Sequence, residues 1–161
     1  MPILLLVILI LCESSDLIDG FLARKRNEVS DLGKIMDPMA DSIARMVILF
    51  TFTQGPVQVP ILLVFVFLYR ESIISTLRTI CAMKGYALAA RKSGKIKAIV
   101  QASVSFIIVL MLFFYNASML TANTLRYTSI ILVAIAALYS IATAVDYIFA
   151  NREFIKNILR S

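Results

Sequence analysis

Long apolar runs separated by short polar islands dominate the chain. Five of these runs read as helical spans. The first extends from about Ile3 into the region of Asp16, and the second from Leu32 to Thr53. Gln54, Gly55, Pro56 and Pro60 then interrupt the pattern, as turn-forming residues do. A third helix is expected from Pro60 to Lys84, with Pro60 in its first turn, where a missing backbone donor costs little. Gly85 and the polar residues to Ser93 predict a turn. The fourth helix follows from Gly94 to Tyr115 and the fifth from Thr121 to Ala150. Residues Asn151 to Ser161 form a short basic amphipathic tail. Several runs approach the roughly 20 apolar residues that cross a bilayer. The expected fold is all-α, a polytopic transmembrane helical bundle forming a single domain over residues 1–161.

Composition strengthens this reading: of 161 residues, 60% are hydrophobic and only 16% charged. Soluble domains are less apolar and more charged. The net charge of +6 matters less than its placement. Arg24, Lys25 and Arg26 form one basic group; Lys84, Arg91, Lys92, Lys95 and Lys97 a second; Arg152, Lys156 and Arg160 a third. Between them, Gln54–Pro60 and Tyr115–Thr124 carry no charge. This alternation predicts that the basic ends face the cytoplasm. It argues against a nucleic-acid partner, because the basic residues are split by spans and form no continuous stripe. The chain has no His, and Cys12 and Cys81 lack a CxxC partner, which disfavours zinc sites and His-based triads. Both cysteines read as packing residues. Met1–Leu11 lacks the basic lead of a signal peptide and reads as part of a span. Five spans put the N-terminus outside and the C-terminus inside, and a start directly within an apolar run predicts an upstream helix.

The candidate chemistry lies in four aspartates, Asp16-x-x-Asp19-Gly20-x-x-Ala23-Arg24, then eight residues, then Gly33-x-x-x-Asp37-x-x-x-Asp41. Carboxylates near lipid are costly unless paired, metal-bound or wet. On helices Asp16 and Asp19 are i,i+3 neighbours, and Asp37 and Asp41 are i,i+4 neighbours. Two such faces can converge on hard divalent cations. The plainer alternative is a set of juxtamembrane polar residues paired with Arg24, Lys25 and Lys34. Gly20, Ala23 and Gly33 permit close approach of a helix or a ligand. Arg24 presents a planar fork suited to phosphate. Pro38 predicts a local irregularity beside Asp37. Metal, phosphate and lipid together point to phosphoryl transfer at a membrane surface, with a free carboxylate available as proton acceptor.

The aspartate pattern resembles the signature of the CDP-alcohol phosphatidyltransferase family, D-x2-D-G-x2-A-R-x8-G-x3-D-x3-D, at every defined position. The resemblance implies an integral-membrane, commonly dimeric enzyme that moves a phosphatidyl group from CDP-diacylglycerol to an alcohol and releases CMP. It implies Mg2+ or Mn2+, as a pair of ions, held by Asp16, Asp19, Asp37 and Asp41, with Asp41 also the general base. Asp19, Gly20, Ala23, Arg24 and Gly33 are the implied cytidine-diphosphate site. The family normally has six spans, so five are expected here, without the first helix.

Tyr69-Arg70-Glu71 through Leu77-Arg78, followed by Ser93-Gly94-Lys95-Ile96-Lys97 and Gln101, is similar to the bacterial phosphatidylglycerophosphate synthases. This second resemblance implies glycerol-3-phosphate as acceptor and the bacterial cytoplasmic membrane as location, with the active site facing the cytoplasm. Arg70 and Arg78, eight residues apart and expected on similar faces of one helix, would hold the acceptor phosphate together with Lys95 and Lys97. Thr is common after the second lysine of that segment, whereas Ala98 stands here. Inositol phosphate, serine or phosphatidylglycerol remain alternative acceptors. A cation-binding membrane protein without catalysis is the alternative from another class.

Overall fold

The computed structural model describes residues 31–83, 92–152 and 155–156. The expected first span, in the region of Ile3 to Asp16, lies outside them. The described residues form four helices: α1 (Asp31–Thr51), α2 (Ile61–Met83), α3 (Lys92–Asn116) and α4 (Ala122–Ala150). Their bounds fall within two residues of the expected ones. Helix α1 ends at Thr51, two residues before the expected Thr53, and α3 is already helical at Lys92, two residues before the expected start at Gly94. Helix α1 also runs through Asp37-Pro38 without interruption. Proline removes one backbone donor, the one that would meet the carbonyl of Lys34, and the helix on both sides accommodates that single loss.

Tight connections set the helices against each other. The backbone N–H of Val59 donates to the carbonyl of Phe52 at 3.0 Å, closing the α1–α2 loop, and Gly55 at φ +66° makes the reversal possible. Phe52, Val57 and Val59 turn inward and plug that end of the bundle. At the end of α3 the N–H of Met119 donates to Phe114 and that of Ser118 to Tyr115, both at 3.0 Å, with Ser118 at φ 58°. This is the Schellman pattern of helix termination, with serine at the left-handed position that glycine usually takes. Thr121 then starts α4, its hydroxyl accepting from the N–H of Thr124 at 3.2 Å.

Helix α4 packs on both α3 and α2, and α1 rests on α2 and α3. The buried stripe of α4, Leu125, Ser129, Val133, Ala136, Ala137, Ser140, Thr143 and Tyr147, is rich in small residues. Small side chains let neighbouring helices come close where lipid supplies no hydrophobic drive.

The outside is as apolar as the core. Ile99, Phe106, Phe113, Ile131, Ile135 and Leu138 face outward, while Arg70, Lys97, Gln101, Ser129 and Ser140 are buried beside a mostly apolar core. An apolar exterior with polar side chains held inside suits lipid as solvent. Two helical segments, Ile96–Asn116 and Ala122–Ala150, are long and apolar enough to cross a membrane. Helix α2 is as long as a span but carries Arg70, Glu71 and Arg78, and in α1 only Ser42–Thr51 is apolar. The described residues are thus those of a helical membrane protein whose buried polar side chains come from α2, α3 and α4.

Candidate active site

Helix α1 places Gly33, Asp37, Asp41 and Arg45 at successive intervals of four residues. Each step advances about one turn and rotates by about 40°, so adjacent positions are near neighbours while Gly33 and Arg45 stand about 120° apart. Asp37 and Asp41 are thus neighbouring positions on the helix. Carboxylate-bearing positions at this spacing suit a divalent cation. No group of three or more potential metal-ligating side chains forms among the described residues. Asp16 and Asp19, the other half of the expected ligand set, lie outside the described residues, as do Gly20, Ala23 and Arg24.

A second polar centre is built by α2 and α3. Glu71 Oε2 accepts from Arg70 Nη1 at 3.1 Å and from Lys97 Nζ at 2.5 Å. Arg70 is only 9% exposed and Lys97 5%. The buried lysine's ammonium reaches across 26 positions of sequence to the carboxylate. Arg45 joins from α1, close enough for its charge to act on Lys97. Arg45 Nε and Arg70 Nε are buried without a hydrogen-bond partner.

The charge balance of this centre is informative. Among the described side chains, Arg70 and Lys97 share the carboxylate of Glu71, and the half-buried Arg45 adds a third cation near Lys97. Excess positive charge in a low-dielectric interior is expensive, so the arrangement is suited to receive an anion. Guanidinium groups offer a phosphate monoester paired donors. One turn along α3 from Lys97, Gln101 is buried as well, with both amide atoms unpartnered.

Of the four residues expected to hold an acceptor phosphate, the fold brings Arg70 and Lys97 together. Arg78 is exposed and makes no ion pair among the described residues. Eight residues amount to about 80° beyond two full turns, enough to carry Arg78 off the buried face that Arg70 occupies. The expectation of similar faces for these two arginines is thereby corrected. The Lys95 side chain lies outside the described residues.

Arg45 is a site residue that was not singled out from the sequence, while Glu71 and Gln101 were named there as members of the second motif without a role. Arg45 was accessible there, because it continues the four-residue interval of Gly33, Asp37 and Asp41 by one step. Glu71 reads as an ordinary partner of the adjacent Arg70 until Lys97 arrives from another helix.

Comparison with known proteins gives the family of the chain. A family model described as CDP-alcohol phosphatidyltransferase matches residues 1–142. A CDP-diacylglycerol–glycerol-3-phosphate 3-phosphatidyltransferase of Bacillus subtilis is 36% identical over 94 residues, 56% of this chain and 47% of that protein. The protein of the same description from Treponema pallidum is 34% identical over 93 residues, 58% of this chain and 42% of its own length. A cardiolipin synthase (CMP-forming) of Streptomyces coelicolor is 36% identical over 81 residues, covering 50% and 37% respectively. The chain spans about half the length of the curated relatives it matches. With the family model extending over most of its length, the chain belongs to the CDP-alcohol phosphatidyltransferase family.

Proposed function

We propose that the protein transfers the phosphatidyl group of CDP-diacylglycerol to glycerol-3-phosphate, yielding phosphatidylglycerophosphate and CMP. The observation that carries this reading is the excess of positive charge, among the described side chains, of buried Arg70 and Lys97 and half-buried Arg45 over Glu71, in the bundle that also carries the aspartate positions of α1. It supplies an anion site within the same bundle as the carboxylates. Relatives described as CDP-diacylglycerol–glycerol-3-phosphate 3-phosphatidyltransferases support the same acceptor.

Arg70 and Lys97 hold the acceptor's phosphate, with Arg45 adding charge and Arg78 and Lys95 nearer the ends of their helices drawing it in. Asp41 takes the proton of the acceptor hydroxyl. The hydroxyl oxygen attacks the phosphorus that bears diacylglycerol, the bond from that phosphorus to the bridging oxygen breaks, and CMP leaves with the electron pair. Asp19, Gly20, Ala23, Arg24 and Gly33 form the cytidine-diphosphate site, where small residues give clearance and Arg24 meets phosphate. Asp16, Asp19 and Asp37, with Asp41 beside them, would hold Mg2+ or Mn2+, which when bound neutralises the pyrophosphate and the departing CMP. Charge neutralisation and orientation supply most of the catalysis in such transfers. The reading extends to a homodimer in a bacterial cytoplasmic membrane, with the basic helix ends and the site on the cytoplasmic side.

The similarity to a cardiolipin synthase favours one second reading, the same chemistry with phosphatidylglycerol as acceptor. Purified protein supplied with CDP-diacylglycerol and a panel of acceptors separates the two. CMP release with glycerol-3-phosphate is expected, and its absence with every acceptor refutes transferase function. In the same assay Asp41→Asn should lower turnover by about 10²–10⁴-fold, the usual contribution of general base catalysis. Turnover at the wild-type rate would remove Asp41 from that role.

A further inference from the structure

Gln101 is the most anomalous polar residue of the bundle. It is 2% exposed and ranks among the largest fully buried side chains, yet neither Oε1 nor Nε2 has a hydrogen-bond partner. Ser129, Ser140 and Tyr147 also bury an unpartnered hydroxyl each, but a hydroxyl leaves one atom unsatisfied where the amide leaves two. Burying a polar group without a partner is costly, and an apolar side chain of the same size avoids that cost. Nothing in the packing calls for an amide here, since Val104, Ile108 and Leu112 continue the buried side of α3 with apolar groups.

Its position suggests what the amide is for. Gln101 lies one turn from Lys97 on α3, further from the basic end of that helix, and on its buried side. Lys97, Arg70 and the neighbouring charge of Arg45 form the anion site. A small acceptor whose phosphate sits on those cations must extend its carbon chain from there. The carboxamide is both donor and acceptor, as is an alcohol, so the two can satisfy each other reciprocally.

We propose that Gln101 is a specificity-determining residue whose amide receives the non-reacting hydroxyl of the acceptor, one helical turn from the cations that hold its phosphate. The assignment rests on the proposed transfer to a hydroxyl-bearing phosphate. It explains why an amide is retained at a site where the resting protein offers it no partner. A site built to hydrogen-bond a hydroxyl also rejects the analogue lacking it, because its own polar atoms then stay unpaired.

The test compares glycerol-3-phosphate with 3-hydroxypropyl phosphate, which keeps the phosphate and the primary hydroxyl and lacks only the middle one. CMP release from CDP-diacylglycerol is followed for the full chain in lipid nanodiscs. The wild type should favour glycerol-3-phosphate at least about tenfold in kcat/KM. Gln101→Leu should bring the ratio to within about twofold, chiefly by raising KM for glycerol-3-phosphate, while KM for CDP-diacylglycerol and thermal stability are retained. Gln101→Met, closer in length, should behave alike and serves if the leucine variant does not fold. A variant that discriminates as well as the wild type overturns the proposal. So does a wild type that uses both acceptors equally, a result that needs no variant and leaves the transferase reading intact. CMP release with neither of these acceptors, nor with any other of the panel, defeats the transferase reading itself, and the assignment of Gln101 with it.

Discussion

Neutralising Glu71 is the most direct way to probe the buried charge centre. In Glu71→Gln the shape is kept and one carbonyl oxygen still accepts, but the charge that Arg70 and Lys97 share is gone. The two contacts, at 3.1 and 2.5 Å, correspond to gross Coulomb attractions of about 5 and 7 kcal/mol at an effective dielectric of about 20. Desolvation of all three groups offsets most of that. What remains on removing one partner of a buried pair is about 3–5 kcal/mol, because the surviving charges are left uncompensated. Glu71 keeps 28% of its side-chain surface, so the lower end, about 3 kcal/mol, applies. For a chain of this size that is a fall in melting temperature of roughly 6–12 °C. Thermal unfolding in detergent measures it, and added inorganic phosphate should restore part of the loss by filling the anion site. A cycle with Lys97→Met sharpens the result: the losses should be non-additive, with a coupling of about 1–3 kcal/mol. If Glu71→Gln melts with the wild type, or if the two losses simply add, Glu71 is not holding these cations in place.

Four further outcomes are expected. Arg70→Ala and Lys97→Met should each raise KM for glycerol-3-phosphate by about 10–100-fold, the worth of a charged hydrogen bond, and the exposed Arg78→Ala by less; steady-state kinetics with varied acceptor check the order, and an Arg78 effect equal to that of Arg70 refutes it. Chelation with EDTA should stop CMP release and added Mg2+ or Mn2+ restore it, whereas release unaffected by chelation rules out metal ligation by Asp16, Asp19, Asp37 and Asp41. At the α3–α4 turn, Ser118→Gly should stabilise the protein by about 0.5–1 kcal/mol by relieving a left-handed φ of 58°. Thr121→Ala should cost about 1 kcal/mol through loss of the cap on Thr124. Thermal unfolding reads both, and a destabilised Ser118→Gly contradicts the termination pattern described for α3.

Much of this protein is determined by sequence alone. Apolar run length and turn residues locate all four described helices to within two residues, because hydrogen bonding within a helix is local and spans must bury their backbone in lipid. The aspartate pattern resembles the family signature at every defined position, and its i,i+3 and i,i+4 spacing sets which carboxylates can be neighbours on a helix before any packing is known. Even Arg45 is legible as the next step of that spacing. Tertiary structure decides the rest. Arg70 and Arg78 share a helix and a motif, yet packing buries one and leaves the other exposed, since 80° of rotation separates an inward from an outward face. Glu71 gains its second cation only because α3 lies against α2, a contact between residues 26 positions apart that no local spacing encodes. Gln101 closes the second motif in the sequence without a role, and only the close packing around it reveals an amide with both ends unmet. Local periodicity specifies helices and the residues along one face. Burial, and the cost it places on each charge and each unpaired polar atom, arises only when the helices are brought together.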